Sequence, residues 1–342
     1  MKTTVFSGAV PALGTAANQN STTLSRTSKR QSTPVIGCHC PHPSKLTGIH
    51  MSFVRLGLLT LVTMVCFSGN SVLCRLALRQ TSIDAASFTT VRLISGALML
   101  AILVLCRRRL RGSVIVATGR HPASGGNWIS ALSLFAYAAS LSFSYAGIAT
   151  GMGALLLFGA VQATMILTGL WHGERLLPRQ LGGLALASVG IVAILSPGLD
   201  APPLGSALLM LVSGVSWGVY SLRGRGAADP LGDTAGNFLR AALISVLLSA
   251  AFLGRQQFDG LGLLYAVLSG AVTSGLGYAV WYSVLPKLTR TRAAVVQLSV
   301  PVLAALAGAL FVHESISWGF VLTASAVLGG IAMVVYGARN AS

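Results

Sequence analysis

Residues 152–172 read MGALLLFGAVQATMILTGLWH, with no Lys, Arg, Asp or Glu anywhere in the run. An α-helix rises 1.5 Å per residue, so about 20 apolar residues cross the ~30 Å hydrocarbon core of a bilayer. The run is apolar on both parities, so it lacks the alternation that a barrel strand requires. Leu, Ala and Met favour helix, and a helix satisfies its own backbone inside lipid. Working outward, the same reading applies upstream to 128–148, 87–106 and 53–76. Downstream it applies to 180–196, 204–222, 236–254, 260–282, 292–312 and 316–337. The chain is therefore expected to be all-α, a polytopic membrane protein with ten transmembrane helices.

Composition agrees. Of 342 residues 54% are hydrophobic and 9% charged, against about 25% charged in soluble chains. Mean hydropathy is +0.75. Five Cys spread over this length exclude a disulfide scaffold. The 24 basic residues outnumber seven acids, but they lie between apolar runs, with no aromatic–basic patch and no zinc-finger spacing, so no nucleic-acid partner is expected.

The basic residues report sidedness instead. With the amino terminus in the cytoplasm, only Arg75, Arg79 and Arg255 fall outside, and Arg92 and Arg240 lie within or near spans, which leaves 19 of the 24 inside. The positive-inside rule then puts both termini in the cytoplasm, as an even number of spans requires. The expected location is a bacterial plasma (inner) membrane, with lipid as one partner. Trp128, Trp171 and Trp318 fall at span ends, where aromatics with a polar edge sit at the interface.

Residues 1–50 are different material, rich in Ser, Thr, Pro and Gly and basic without an acid. They read as a disordered leader; Met51, directly before the first span, is an alternative start. Cys38, His39, Cys40 and His42 are metal-ligand types, but a second ligand pair at zinc spacing is missing, so no metal is assigned.

After the leader the chain divides into 51–197 and 198–339, five spans each. Glu174 and Glu314 are the only two Glu; they follow spans four and nine, 140 residues apart, and Gly190-Ile191 and Gly330-Ile331 repeat at the same offset. Arg92 and Arg240 are 148 apart, Ser68-Gly69 and Trp217-Gly218 149 apart. Five is odd, so two five-span units insert in opposite orientation, giving two inverted five-helix repeats. That design recurs in carriers.

Several segments carry a family likeness: Cys66-Phe67-Ser68-Gly69-Asn70, Phe88-Thr89-Thr90-Val91-Arg92, Glu174-Arg175 through Gly190, Trp217-Gly218, and Glu314 through Gly330. Through them the region from Met51 to Arg339 resembles the drug/metabolite transporter superfamily, specifically its EamA-type ten-span permeases. The resemblance implies an inward amino terminus, the inverted five-plus-five arrangement and a small-molecule carrier. Members commonly show Trp-Gly in the first span, where this chain has Ser68-Gly69.

No enzyme constellation is present: HExxH, GxSxG and a P-loop are missing, and the acids are scattered. No cofactor is implied. Transport would be secondary or facilitated, of small polar organic metabolites such as amino acids or related compounds. The alternative is a non-transporting scaffold or sensor. A cavity is expected between spans one, three, four, six, eight and nine. The candidate substrate contacts are the amides Asn70, Gln162 and Gln297, which need partners in lipid, and the aromatics Tyr145, Trp217, Tyr220, Tyr278 and Trp281. Tyr278 and Tyr282 are four apart, on one helical face. Arg92 and Arg240 are expected to reach the headgroups, with gating or contact to an anionic substrate as the alternative, and Glu174 and Glu314 to cap the helices that follow them. Nothing in the sequence argues for a homodimer.

Overall fold

The computed structural model describes residues 53–110, 125–173, 177–196, 201–254, 256–288 and 290–337. The leader with its Cys/His cluster, Glu174 and the 197–200 link fall outside them.

Among the described residues the secondary structure is entirely helical. The first five helices are α1 (Phe53–Gln80), α2 (Ala85–Leu110), α3 (Trp128–Tyr145), α4 (Thr150–Trp171) and α5 (Pro178–Leu195). The next three are α6 (Leu204–Arg223), α7 (Pro230–Ala251) and α8 (Gly260–Lys287). The ninth, α9, joins Arg290–Gln297 to Ser299–Ala307 and ends in a wide turn at Gly308–Val312; α10 is Trp318–Gly337. Nine of these rods are long and apolar enough to cross a membrane. The one that falls short of the expected ten is α3, which carries five serines. Those serines are met inside the protein. Ser140 and Ser142 bond back to Ala136 and Ala138 carbonyls, and Ser144 donates to the Ser206 carbonyl of α6 at 2.6 Å.

Short side chains start the helices. Asp84 accepts from the Ala86 and Ser87 N–H groups, and Asp229 and Asp259 cap α7 and α8 the same way, filling orphan donors of the first turn. Pro230 opens α7 six residues before the expected limit, so Asp233 lies in a helix and not in a loop. Pro301 has no N–H for the Gln297 carbonyl, and α9 is interrupted beside it at Leu298. Glycine sets the closest approaches. A Cβ at Gly270, in the wide-turn stretch of α8, would strike the Arg92 carbonyl of α2; a Cβ at Gly330 of α10 would strike the Gly183 backbone of α5.

Helix directions follow from the contacts. Thr90 near the start of α2 bonds Ser249 near the end of α7, and Arg107 at the end of α2 pairs with Asp229 at the start of α7. Gln180 of α5 reaches the Val334 carbonyl of α10, and Gly190 packs on Val327. Gly151 of α4 abuts Ala305 of α9, and Thr150 meets Glu314. These three pairs run antiparallel. Contacts Ser144–Ser206, Tyr137–Ser213 and Ser130–Arg223 make α3 antiparallel to α6. Asn70–Tyr137 and Arg75–Tyr145 make α1 parallel to α3, and Asn70–Ser269 with Cys66–Gly277 makes α1 antiparallel to α8. Each of the first five helices therefore runs opposite to the helix five places later. The principal packing partners also survive exchange of the two sets: α3 with α6 answers α8 with α1, and α4 with α6 answers α9 with α1.

The described basic residues gather at one end of the bundle. Arg55, Arg107, Arg108, Arg109, Arg179, Arg223, Arg225, Lys287 and Arg292 are there, while Arg79 and Arg75 lie toward the other. Trp128, Trp171 and Trp318 are exposed at helix ends, as expected. Outward faces are apolar; Leu247 and Leu322 are each 70% exposed, a surface that suits lipid.

Candidate functional site

A cavity of about 530 Å³ lies among α1, α3, α4, α6, α8 and α9, the six helices expected to enclose one. That volume falls within the ~300–1,000 Å³ of small-molecule sites. Its mouth is at the basic end, where Arg225 and Gly226 follow α6 and Leu285 and Leu288 end α8. Asn70, Ser71, Leu141, Thr273 and Ser274 line its deepest part.

Seven of the eight residues singled out from the sequence line this cavity: Asn70, Gln162, Trp217, Tyr220, Tyr278, Trp281 and Gln297. Tyr145 stands outside it. Its ring is wholly buried in the notch left by Gly153, and its hydroxyl donates to the Thr150 carbonyl at 3.4 Å, packing the turn between α3 and α4.

The wall is a continuous aromatic surface. Trp217 stacks on Tyr220 and Tyr278 at 5.4 and 5.5 Å and tilts against Tyr137 at 4.9 Å. Tyr278 extends it to Phe67 at 5.7 Å and to Tyr282 at 6.4 Å, the neighbour four residues on. Offset and tilted ring pairs add about 0.5–1.5 kcal/mol each beyond burial. Thr234 of α7 ties the phenols together, accepting from Tyr220 and donating to Tyr282.

The inner end is polar. Ser269 donates to Asn70 Oδ1 at 2.7 Å, and Asn70 Nδ2 donates to the Tyr137 hydroxyl at 3.1 Å. Arg92 Nη2 donates to the same hydroxyl at 3.3 Å, with the guanidinium carbon 5.3 Å from the Tyr137 ring centre. The expectation that Arg92 reaches the headgroups is overturned: it is 2% exposed. Gly270 lets α8 close against the α2 backbone at this residue, which shuts Arg92 in. Arg240 differs. It bonds the Gly125 and Gly236 carbonyls at 2.7 and 2.9 Å and lies 5.8 Å from the Trp128 ring centre, settled on backbone and aromatic groups at the basic end.

Beyond the cavity floor, at the end away from the mouth, one ionic knot joins three elements. Arg75 Nε donates to Glu314 Oε1 at 2.9 Å and its Nη1 to the Tyr145 and Ala146 carbonyls. Glu314 Oε2 accepts from the Thr150 N–H at 2.7 Å. Glu314 thus caps α4, not α10 as expected. His313, in the left-handed region at φ 59°, reverses the chain and brings the Glu314 N–H back to the Gly308 carbonyl. Gly173, next to Glu174, is at the far end of α4 from Thr150.

Sequence reasoning missed Tyr137 and the pairing of Arg75 with Glu314. A signal for Tyr137 existed: it lies 141 residues before Tyr278, close to the 140-residue offset of the Glu pair. Among the described residues no His, Cys, Asp and Glu cluster could hold a metal.

Comparison with known proteins adds family context. The EamA-like transporter family matches residues 204–336. An uncharacterized protein of Pseudomonas aeruginosa is 56% identical over 281 residues, covering 82% of this chain and 94% of its own length. A probable amino-acid metabolite efflux pump of Salmonella typhimurium is 24% identical over 208 residues, 56% of this chain and 70% of that one. An uncharacterized transporter of Archaeoglobus fulgidus is 25% identical, over 73% of this chain and 86% of its own. A crystal structure superposes with a TM-score of 0.59 at 19% identity, over 84% of this chain and 99% of that one, a likeness of fold.

Proposed function

The chain belongs to the EamA-like transporter family, and from that premise we propose that it carries small polar organic metabolites by alternating access, as a secondary or facilitated transporter. The observation that carries this reading is the cavity between two oppositely running sets of five helices, open at one end and closed at the other by the Arg75–Glu314 knot. In this reading the two sets exchange roles when the site turns to face the other side of the membrane. The basic end, with the mouth, faces the cytoplasm of a bacterial cell, and α3 is a tenth span whose serines are satisfied by its neighbours. The name of the Salmonella typhimurium relative supports an amino-acid-like cargo.

The test is flux. Purified protein in liposomes should exchange labelled solutes from a broad panel of amino acids and related metabolites, and Trp217→Ala should slow that exchange. A protein that binds and moves nothing in such a panel would not be a carrier of these compounds.

A further inference from the structure

Arg92 is not accounted for by the fold. It is 2% exposed, and its Nε and Nη1 meet no hydrogen-bond partner. A guanidinium stays protonated at any pH a protein experiences. A buried charge without a counter-charge is costly, and native structures normally pair it. Asp84, eight residues before Arg92, caps α2, and Glu314 binds Arg75 and Thr150.

The hydrogen bonds around Arg92 have a direction. Asn70 and Arg92 both donate to the Tyr137 oxygen. That oxygen therefore spends its lone pairs on a neutral and a cationic donor, and its own O–H is left to give. Tyr137 lines the cavity, and no carboxylate stands among the described lining residues. The inner end therefore presents a donor backed by a fixed positive charge. One guanidinium matches one negative charge; a dianionic phosphate ester would leave a charge uncompensated in a low-dielectric site.

We propose that the cavity selects solutes bearing a carboxylate, and that Arg92, acting through the hydroxyl of Tyr137, is the positioning residue that sets this selectivity. The inference rests on the transport reading of the same cavity and sharpens its substrate class. The carboxylate takes the Tyr137 O–H at the inner end, and the rest of the solute lies along the Trp217–Tyr278 wall. An ammonium on that solute has aromatic faces to rest on.

Selectivity is measurable without any variant. The full-length protein in detergent is titrated with matched carboxylate and amide pairs, read by tryptophan fluorescence: L-leucine against L-leucinamide, 4-methylpentanoate against its amide, L-phenylalanine against L-phenylalaninamide. Carboxylates should bind about tenfold or more tightly than their amides, the scale of a charge-assisted hydrogen bond. Arg92→Gln should bring the ratio to within about twofold, Arg92→Lys should keep part of it, and Tyr137→Phe should lower it. Equal or tighter binding of amides by the unmodified protein overturns the proposal, as does an unchanged ratio in a folded Arg92→Gln. If liposomes exchange only solutes that lack a carboxylate, the carboxylate selectivity fails and the transport reading stands. If nothing in the metabolite panel binds or moves, both fail.

Discussion

Neutralising Glu314 should open the end of the protein that the structure holds shut. Glu314→Gln keeps the size of the side chain and an oxygen for the Thr150 N–H, but removes the charge facing Arg75. Both side chains of the pair are largely buried, at 11% and 16% exposed, so solvent screening is limited. Breaking a fully buried pair costs about 3–5 kcal/mol. Here Arg75 retains the Tyr145 and Ala146 carbonyls, so a charge-assisted hydrogen bond of about 2 kcal/mol is the appropriate loss. That is roughly a 30-fold shift of the open-to-closed ratio at this end. Ser71 lies at the cavity floor and is buried. In a background without other cysteines, Ser71→Cys should react with a membrane-impermeant thiol reagent added from the Glu314 side about 30-fold faster when Glu314→Gln is also present. Glu314→Gln should add little to Arg75→Gln, because the Arg75 change already removes the ion pair along with the bonds to the Tyr145 and Ala146 carbonyls. Labelling that changes by less than about twofold would refute the reasoning and leave the pair a local cap of α4.

Other outcomes follow from the same geometry. Trp217→Ala removes the ring at the centre of the wall, so KM for transported solutes should rise about tenfold, and the thermal midpoint of the purified protein should fall because Tyr137, Tyr220 and Tyr278 lose their ring partner. Gly270→Leu places a side chain where α8 meets the Arg92 carbonyl; overpacking of this kind costs about 1–3 kcal/mol, and a lowered thermal midpoint in detergent should report it. The Asp84 carboxyl is drawn upward by burial, but the hydrogen bonds from Ser87, Gln257 and Ala86 outweigh this and hold it below its ordinary 3.8. Its stabilisation is therefore complete above that value and lost as pH falls through the lower, folded-state one. Asp84→Ala should cost about 0.5–2 kcal/mol near neutrality and reduce the loss of stability on acidification, followed by thermal unfolding against pH.

What could be read in advance was whatever repeats along the chain. Long apolar runs give helices because lipid offers the backbone no other partner, and this holds even where Pro178 or Pro230 moved a start by a few residues. Seven cavity residues were legible because an amide, an indole N–H or an aromatic hydroxyl inside such a run needs a reason to be there. Three features were hidden for physical reasons. The serines of α3 lower its hydropathy, although Ser140, Ser142 and Ser144 donate to carbonyls and Ser130 accepts from Arg223. Arg92 lies eight residues into α2, near enough to an end for its side chain to reach water in principle, and only the closure of α8 at Gly270 decides otherwise. The Arg75–Glu314 bond spans 239 residues of sequence, and no local pattern carries a contact of that range.

The opposed running of matching helices has a consequence for genetics. In the alternating reading, a lesion that loosens one gate biases the protein toward a single face, and a carrier stalled on either face is equally silent. Second-site revertants of Glu314→Gln should therefore gather not around Arg75 but across the bundle, among the mirror-related contacts of α6, α8 and α9 at the basic end. A defect there restores the balance by weakening the opposing state.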